Sequence, residues 1–123
     1  IAGALIAAIP DSEIDVMMGT GGTSEGVISA CAIRAIGGEF QVRLDPQLAT
    51  ELVRVRDAGL DTERWYDRDE LVASDDVHFC ATGITTGLLF GGVHRSKEHF
   101  RTETLIVNGA TQERVLLTNW HNR

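Results

Sequence analysis

The chain has 123 residues, 43% of them hydrophobic, with 18 acidic against 11 basic residues and a formal net charge of −7. That length sets one domain as the expectation, and the apolar content allows a sizeable core. The acid excess excludes diffuse electrostatic binding to nucleic acid or to an anionic membrane, so any handling of phosphate needs backbone amides, a few placed cations or a metal.

The chain opens on IAGALIAAI from Ile1, without an initiator Met or a lead-in, and reads as a segment of something longer. Ile1, Leu5, Ile6 and Ile9 recur at helical spacing until Pro10-Asp11-Ser12 breaks the pattern. This run is too short for a membrane span and lacks the basic flank of a signal peptide, so a soluble protein without a membrane partner is expected. Ile14 to Met18 is a short apolar run ended by Gly19, Gly21 and Gly22, a pattern for a buried strand. From Ser24 to Ile36 the positions Val27, Ile28, Cys31, Ala32, Ala35 and Ile36 predict a mostly covered helix, stopped by Gly37-Gly38.

Glu39 to Leu44 alternates Phe40, Val42 and Leu44 with polar residues, which predicts a half-buried strand. Asp45-Pro46 reads as a cap followed by Pro at the first helical position, with Leu48, Leu52 and Val55 on one face and Gly59 after the end. Residues 61–76 are charged and turn-rich, with a short helical piece expected from Asp69 to Ala73. Val77 to Ala81 is a second apolar strand that runs into a Gly/Thr loop, residues 82–87, echoing the earlier strand and glycine loop. Thr102 to Val107 and Arg114 to Trp120 flank Asn108-Gly109 and predict a hairpin. No low-complexity linker divides the chain. Residues 1–123 therefore read as a single α/β unit, a mixed β-sheet flanked by helices and part of a larger domain.

The segment Gly19-Thr20-Gly21-Gly22-Thr23-Ser24-Glu25-Gly26 carries the chemistry. A glycine loop between a strand and a helix can be a tight turn, or it can bring amides together on an anion at a helix N-terminus. It has neither the G-K-[ST] of a Walker motif nor the spacing of a dinucleotide fingerprint. Glu25 in the first helical turn is favoured by the helix dipole without any function, by about 0.3–1 kcal/mol. Beside a phosphate, however, its carboxylate would repel unless a divalent cation lay between, and hard oxygen ligands suit Mg²⁺ or Mn²⁺. Gly22-Thr23-Ser24-Glu25-Gly26 also fits the nucleophile elbow G-x-S-x-G, which needs a downstream acid and histidine. Asp75, Asp76, His94, His99 and His121 are available for that, although Ser24 as a helix cap is the plainer reading.

The remaining polar residues point to structure. Cys31 and Cys80 have no C-x-x-C and no histidine at ligand spacing, and are expected as two buried reduced thiols, which favours the cytoplasm. His78 reads as a hydrogen-bonded strand histidine, Trp65-Tyr66 and Trp120 as packing anchors, and Arg95, Lys97 and Arg101 as a solvated turn.

Four ordered segments resemble one family. MMGTGGTSEGVISA at 17–30 resembles the G-I-G-G-x-P-E-G-V segment of the class II fructose-1,6-bisphosphatases of the GlpX type. IRAIGGEFQVRL at 33–44 is similar to that family's helix end and following strand. CATGITTGLLFGGV at 80–93 resembles its A-T-G-[IV]-T-x-G-D-L-L-x-G-V stretch, and RTETLIVNG at 101–109 resembles its T-T-E-T-L strand.

The resemblance implies the C-terminal part of a sugar-phosphatase-like layered α/β fold, with Gly22 contacting substrate and Glu25 binding a catalytic Mg²⁺ or Mn²⁺. It implies hydrolysis of the 1-phosphate of fructose 1,6-bisphosphate to fructose 6-phosphate, as in gluconeogenesis, with some members also taking sedoheptulose 1,7-bisphosphate. It further implies that the Asp-Gly-Asp substrate loop, the other metal ligands and the Lys/Arg phosphate contacts lie in an N-terminal half ahead of Ile1. The partners expected are therefore that half, a sugar bisphosphate and further copies in a homo-oligomer. Ser24 stands where the family usually has Pro, Leu88 where it has Asp and Thr20 where it has Ile, and the connection after Leu44 is short. A module of the same fold that binds sugar phosphates or a protein partner without catalysis is the alternative, and a serine hydrolase using Ser24 is the third reading.

Overall fold

The computed structural model describes residues 1–123. Its elements in chain order are α1 (Ala2–Ala8), α2 (Thr23–Ile36), β1 (Gln41–Arg43), α3 (Ala49–Asp57), β2 (Trp65–Asp67), α4 (Arg68–Leu71), β3 (His78–Thr82), β4 (His94–Arg95), β5 (His99–Asn108) and β6 (Glu113–Asn122). Helices and sheets combine as the α/β reading expects, and every strand pairing is antiparallel.

Helix α2 lies at the centre. Its alternation of small and branched apolar residues buries Ala30, Ala32, Ile33, Ala35 and Ile36, and it packs on α1, α4, β3 and β5. Leu5 of α1 fills one flank at 1% exposure, and Phe79, Leu105 and Val107 fill the other from the sheet. These three share a face because strand side chains alternate and Phe79 lies opposite Val107 in the β3–β5 register. At its C-terminus α2 stops where Gly37 turns to φ 86°, its N–H donating to the carbonyls of Ile33 and Arg34 while Gly38 N–H also reaches Ile33. Glycine adopts that left-handed conformation without the steric cost a side chain would bring.

The last turn of α2 also carries Arg34, whose guanidinium donates to Asp69, to Asp75 and to the Val72 carbonyl at 2.9 Å. One side chain thus ties α2 to α4 and to the segment leading into β3. Its hydrogen bond to Asp75 raises the guanidinium's proton affinity above the ordinary value, against the opposing effect of burial and with further help from the charges of Asp69 and Asp75.

Strands β3 and β4 pair with the same edge of β5, while β6 takes the other edge along its full length. Residues 83–93 leave that shared edge and return to it as a loop. Gly83 N–H bonds the Glu103 carbonyl at 3.0 Å, Val93 N–H bonds the Ile84 carbonyl at 3.1 Å, and Gly91 N–H bonds Glu103 Oε2 at 2.6 Å. The neck of the loop is tight enough that a Cβ on Gly83 would meet the Gly91 carbonyl and, at 2.8 Å, the Phe90 ring.

Several expectations are corrected. Residues 14–18 form no strand: no neighbouring segment of this chain offers them a ladder, and Val16 and Met18 stand 71% and 89% exposed. Helix α3 starts at Ala49 rather than at Pro46, because Glu51 draws its start later by accepting from the Gln47 and Leu48 amides at 2.9 and 3.1 Å. Ser24 is not a cap; Gly22 is the N-cap of α2, and Ser24 is its second helical residue. The polar stretch 61–76 contains β2, which pairs with β1 through Val42 opposite Tyr66. The hairpin is present with longer arms, and its turn extends to Gln112 at φ 58°.

The core is smaller than composition suggests, with 13 of 123 residues buried. The accessible surface is 8677 Å², against roughly 6500 Å² for a compact monomer of 13.4 kDa. The excess of about 2200 Å² is the size of a large specific interface. No helix is long and apolar enough to cross a membrane.

Two outcomes follow from this packing. Gly83→Ala lowers stability by about 1–3 kcal/mol through overpacking at the loop neck, while Gly87→Ala, which meets open space, leaves it unchanged; urea melts of both variants check the contrast. Arg34→Gln lowers the urea midpoint clearly more than Arg64→Gln, which removes the more exposed pair with Glu70, and equal midpoints would refute the clamp.

Candidate functional site

The loop Gly19–Gly22 delivers the chain into α2 with Gly22 in extended backbone at φ −68° and ψ 163°. The first intrahelical bond runs from Gly26 N–H to the Gly22 carbonyl at 3.0 Å. The amides of Thr23, Ser24 and Glu25 precede it and have no acceptor in this chain, as a helix start requires unless something caps it. Three donors at the positive end of a fourteen-residue helix make a place for negative charge.

Glu25 fills part of that place with its own carboxylate. The side chain folds back over the N-cap, and its Oε2 occupies the space that a Cβ at position 22 would need. The absence of a side chain at Gly22 is therefore what lets the carboxylate lie against the loop. Glu25 is exposed and makes no hydrogen bond or ion pair with another side chain, so its oxygens are free to act as ligands. Gly22 and Glu25, the two residues the sequence singled out, are in direct contact.

A cleft of about 1060 Å³ opens between this loop and the strand β1 with the start of α3. Its charged lining includes Glu25, Glu39, Asp45 and Glu51, against Arg43 and Arg54. With acids in excess along that lining, a polyanion finds too little compensating charge there on its own. Nowhere do three His, Cys, Asp or Glu side chains gather as a metal cage. The Glu25 carboxylate is chemically suited to a hard divalent ion and insufficient by itself to hold one.

The serine-hydrolase reading fails on geometry. Ser24 sits in the first turn of α2 with no hydrogen bond to a histidine or carboxylate, and no strand precedes it to form an elbow. Asp75 is committed to Arg34, and His94, His99 and His121 lie on β4, β5 and β6. His121 Nε2 is 2.9 Å from the Thr102 hydroxyl across the hairpin.

Other sequence assignments also change. Cys31 and Cys80 are free, but Cys31 is only half-buried and Cys80 is exposed, since it alternates with Phe79 and Ala81 onto the sheet face away from α2. His78 lies on β3 yet is exposed, its Nδ1 3.8 Å from Asp76, too far for a hydrogen bond. Trp65 and Trp120 are 59% and 65% exposed and serve as platforms for Arg43 and Arg101, whose guanidiniums lie 5.5 and 6.0 Å from the ring centres. Arg95 stacks likewise on Phe100 at 5.9 Å. Leu88 is 88% exposed in the 83–93 loop. The Arg34 clamp escaped the sequence reading because its two acids lie 35 and 41 residues away.

Known proteins share this arrangement of segments. The family described as "Bacterial fructose-1,6-bisphosphatase, glpX-encoded" matches residues 1–121. The chain is 37% identical to "Fructose-1,6-bisphosphatase 2 class 2" of Escherichia coli (strain K12) over 98% of its length. It is 35% identical to "Fructose-1,6-bisphosphatase class 2" of Haemophilus influenzae over 91%, and 34% identical to "Fructose-1,6-bisphosphatase 1 class 2" of E. coli over 91%. It spans only 42%, 38% and 37% of the lengths of these three relatives. With the match running from Ile1 through α2, the cleft and the hairpin, this chain belongs to the bacterial, glpX-encoded fructose-1,6-bisphosphatase family.

Proposed function

We propose that this chain contributes the Gly22 loop and the Glu25 carboxylate to the active site of a metal-dependent fructose-1,6-bisphosphatase, which hydrolyses the 1-phosphate to leave fructose 6-phosphate. The observation that carries the reading is the Glu25 carboxylate folded over Gly22 beside three free amides of α2. A carboxylate and a row of N–H donors in one spot suit a ligand that presents a cation to the first and an anion to the second. A phosphate with its divalent ion is that ligand.

Glu25 would hold Mg²⁺ or Mn²⁺, whose chemistry when bound is to polarise the phosphoryl group and to activate water. The Thr23 and Ser24 amides would donate to phosphate oxygens, and Gly22 would let the sugar bisphosphate approach the backbone. Arg43 and Arg54 on the far wall of the cleft add positive charge. The remaining ligands and phosphate contacts would come from the rest of the protein, which accords with a chain spanning about 40% of its relatives. An N-terminal half placed over the cleft would also cover the exposed run Val16 to Met18. Two free thiols support a reducing, cytoplasmic setting, and the large accessible surface supports a homo-oligomer.

The test is a metal titration of phosphate release from fructose 1,6-bisphosphate by the full-length protein. Glu25→Ala lowers the rate by more than about 100-fold, beyond the cost of losing an outer-shell partner, and raises the Mg²⁺ or Mn²⁺ concentration needed for what remains. Ser24→Ala leaves both unchanged. Full activity in Glu25→Ala would refute the assignment, and loss of activity in Ser24→Ala with metal response intact would return the serine to consideration.

A further inference from the structure

We propose that the outer edge of β6 is the contact between two copies of this chain, paired antiparallel about a two-fold axis at Thr118 so that Glu113 of each faces Arg123 of the other. This rests on the homo-oligomer reading above and gives it a surface and a register.

The direction of the backbone groups along β6 follows from two hydrogen bonds. Arg123 N–H donates to the Glu98 carbonyl at 3.1 Å, in register with the β5–β6 pairing, so the odd-numbered residues of β6 turn their polar groups toward β5. Gly83 N–H donates to the Glu103 carbonyl on the opposite edge of β5, which requires the same alternation. The even-numbered residues Arg114, Leu116, Thr118, Trp120 and Asn122 therefore point their N–H and C=O groups away from the sheet, where no strand receives them.

Such an edge usually carries a charge, a proline or a bulge that prevents pairing. Here Val115-Leu116-Leu117-Thr118-Asn119-Trp120 has none, the β5–β6 register runs without interruption, and every residue of β6 is exposed. Leu116 and Trp120 present 56% and 65% of their surface. The charges lie outside this run, at Glu113, Arg114 and Arg123.

A strand that meets its own copy across a two-fold axis has to match outward residues with outward residues. This restricts the axis to a residue position of β6, and placing it at Thr118 uses the whole stretch from Glu113 to Arg123. Arg114 then bonds Asn122, Leu116 bonds Trp120, and Thr118 bonds its own copy. Between these, Glu113 and Arg123 stand directly opposite on the same face, once at each end of the contact. Moving the axis to Leu117 separates Glu113 from Arg123 and sets it against His121. Charge complementarity selects Thr118. The surface excess of about 2200 Å² leaves room for such a contact beside the covering of the cleft.

Sedimentation equilibrium of the full-length protein tests this. Wild type associates; Thr118→Pro, which removes an outward N–H and none of the ladder to β5, raises the dissociation constant about 30-fold through two lost interchain hydrogen bonds. Glu113→Arg and Arg123→Glu each weaken association about tenfold, and the double variant restores it. Circular dichroism melts confirm folding, and if the proline variant fails them the charge exchange still decides. A monomeric wild type overturns the proposal. Association unmoved by all of these variants keeps the homo-oligomer and rejects this interface. Slow hydrogen exchange at the Leu116, Thr118 and Trp120 amides under monomeric conditions also overturns it, because another part of the same chain would then cover the edge.

Discussion

Alanines at 30, 32 and 35 bring the backbone of α2 close to its neighbours with only methyl groups at those positions. That close approach fixes the rest of the molecule. Because α2 is seated against Phe79, Leu105 and Val107 through its C-terminal half, its first turn projects beyond the packed region with its amides uncovered, and its last turn reaches the acids that Arg34 binds. Larger side chains at the alanine positions would lift the helix and move both ends together. The site and the clamp are therefore two ends of one rigid element, which suits a ligand set that needs fixed positions.

Much of this arrangement is legible in the sequence, and the exceptions have definite causes. α2, β3 and β5 are announced by apolar periodicity, since each buries one face against the same core, while β6, exposed throughout, is announced by the turn residues Asn108-Gly109 before it. Gly22 and Glu25 stand out because a glycine loop meets a carboxylate in the first helical turn, while their contact with each other belongs to the fold. Ile14 to Met18 is the counterexample, because an apolar run favours burial and carries no information on whether a partner strand exists within the chain. β2 fails in the opposite sense: three residues inside a charged segment give too short a pattern, and Trp65-Tyr66 reads as an anchor rather than as a strand. The Arg34 clamp and the β3–β5 ladder are products of tertiary pairing across more than thirty and more than twenty residues, which no local window contains.

The charge distribution of the cleft ties these local facts to the chemistry. An acidic chain with one more carboxylate at a helix N-terminus offers that end to a cation as well as to an anion, whereas a phosphate site made of side chains alone would place lysines or arginines there. The exposed methionines beside the loop belong to the same description. Met17 and Met18 are flexible and polarizable, and they can close over a neighbouring surface without demanding a single shape from it.

The loop of residues 83–93 departs from β5 and rejoins the same edge, pinned at its neck by Gly83 and by the bond from Gly91 to Glu103. Its tip, from Ile84 to Leu88, is mostly exposed and carries none of the strand register. Length at the tip is thus decoupled from the sheet: residues can be gained or lost there over evolutionary time, or a tag inserted in the laboratory, while β3 and β4 keep their places on β5.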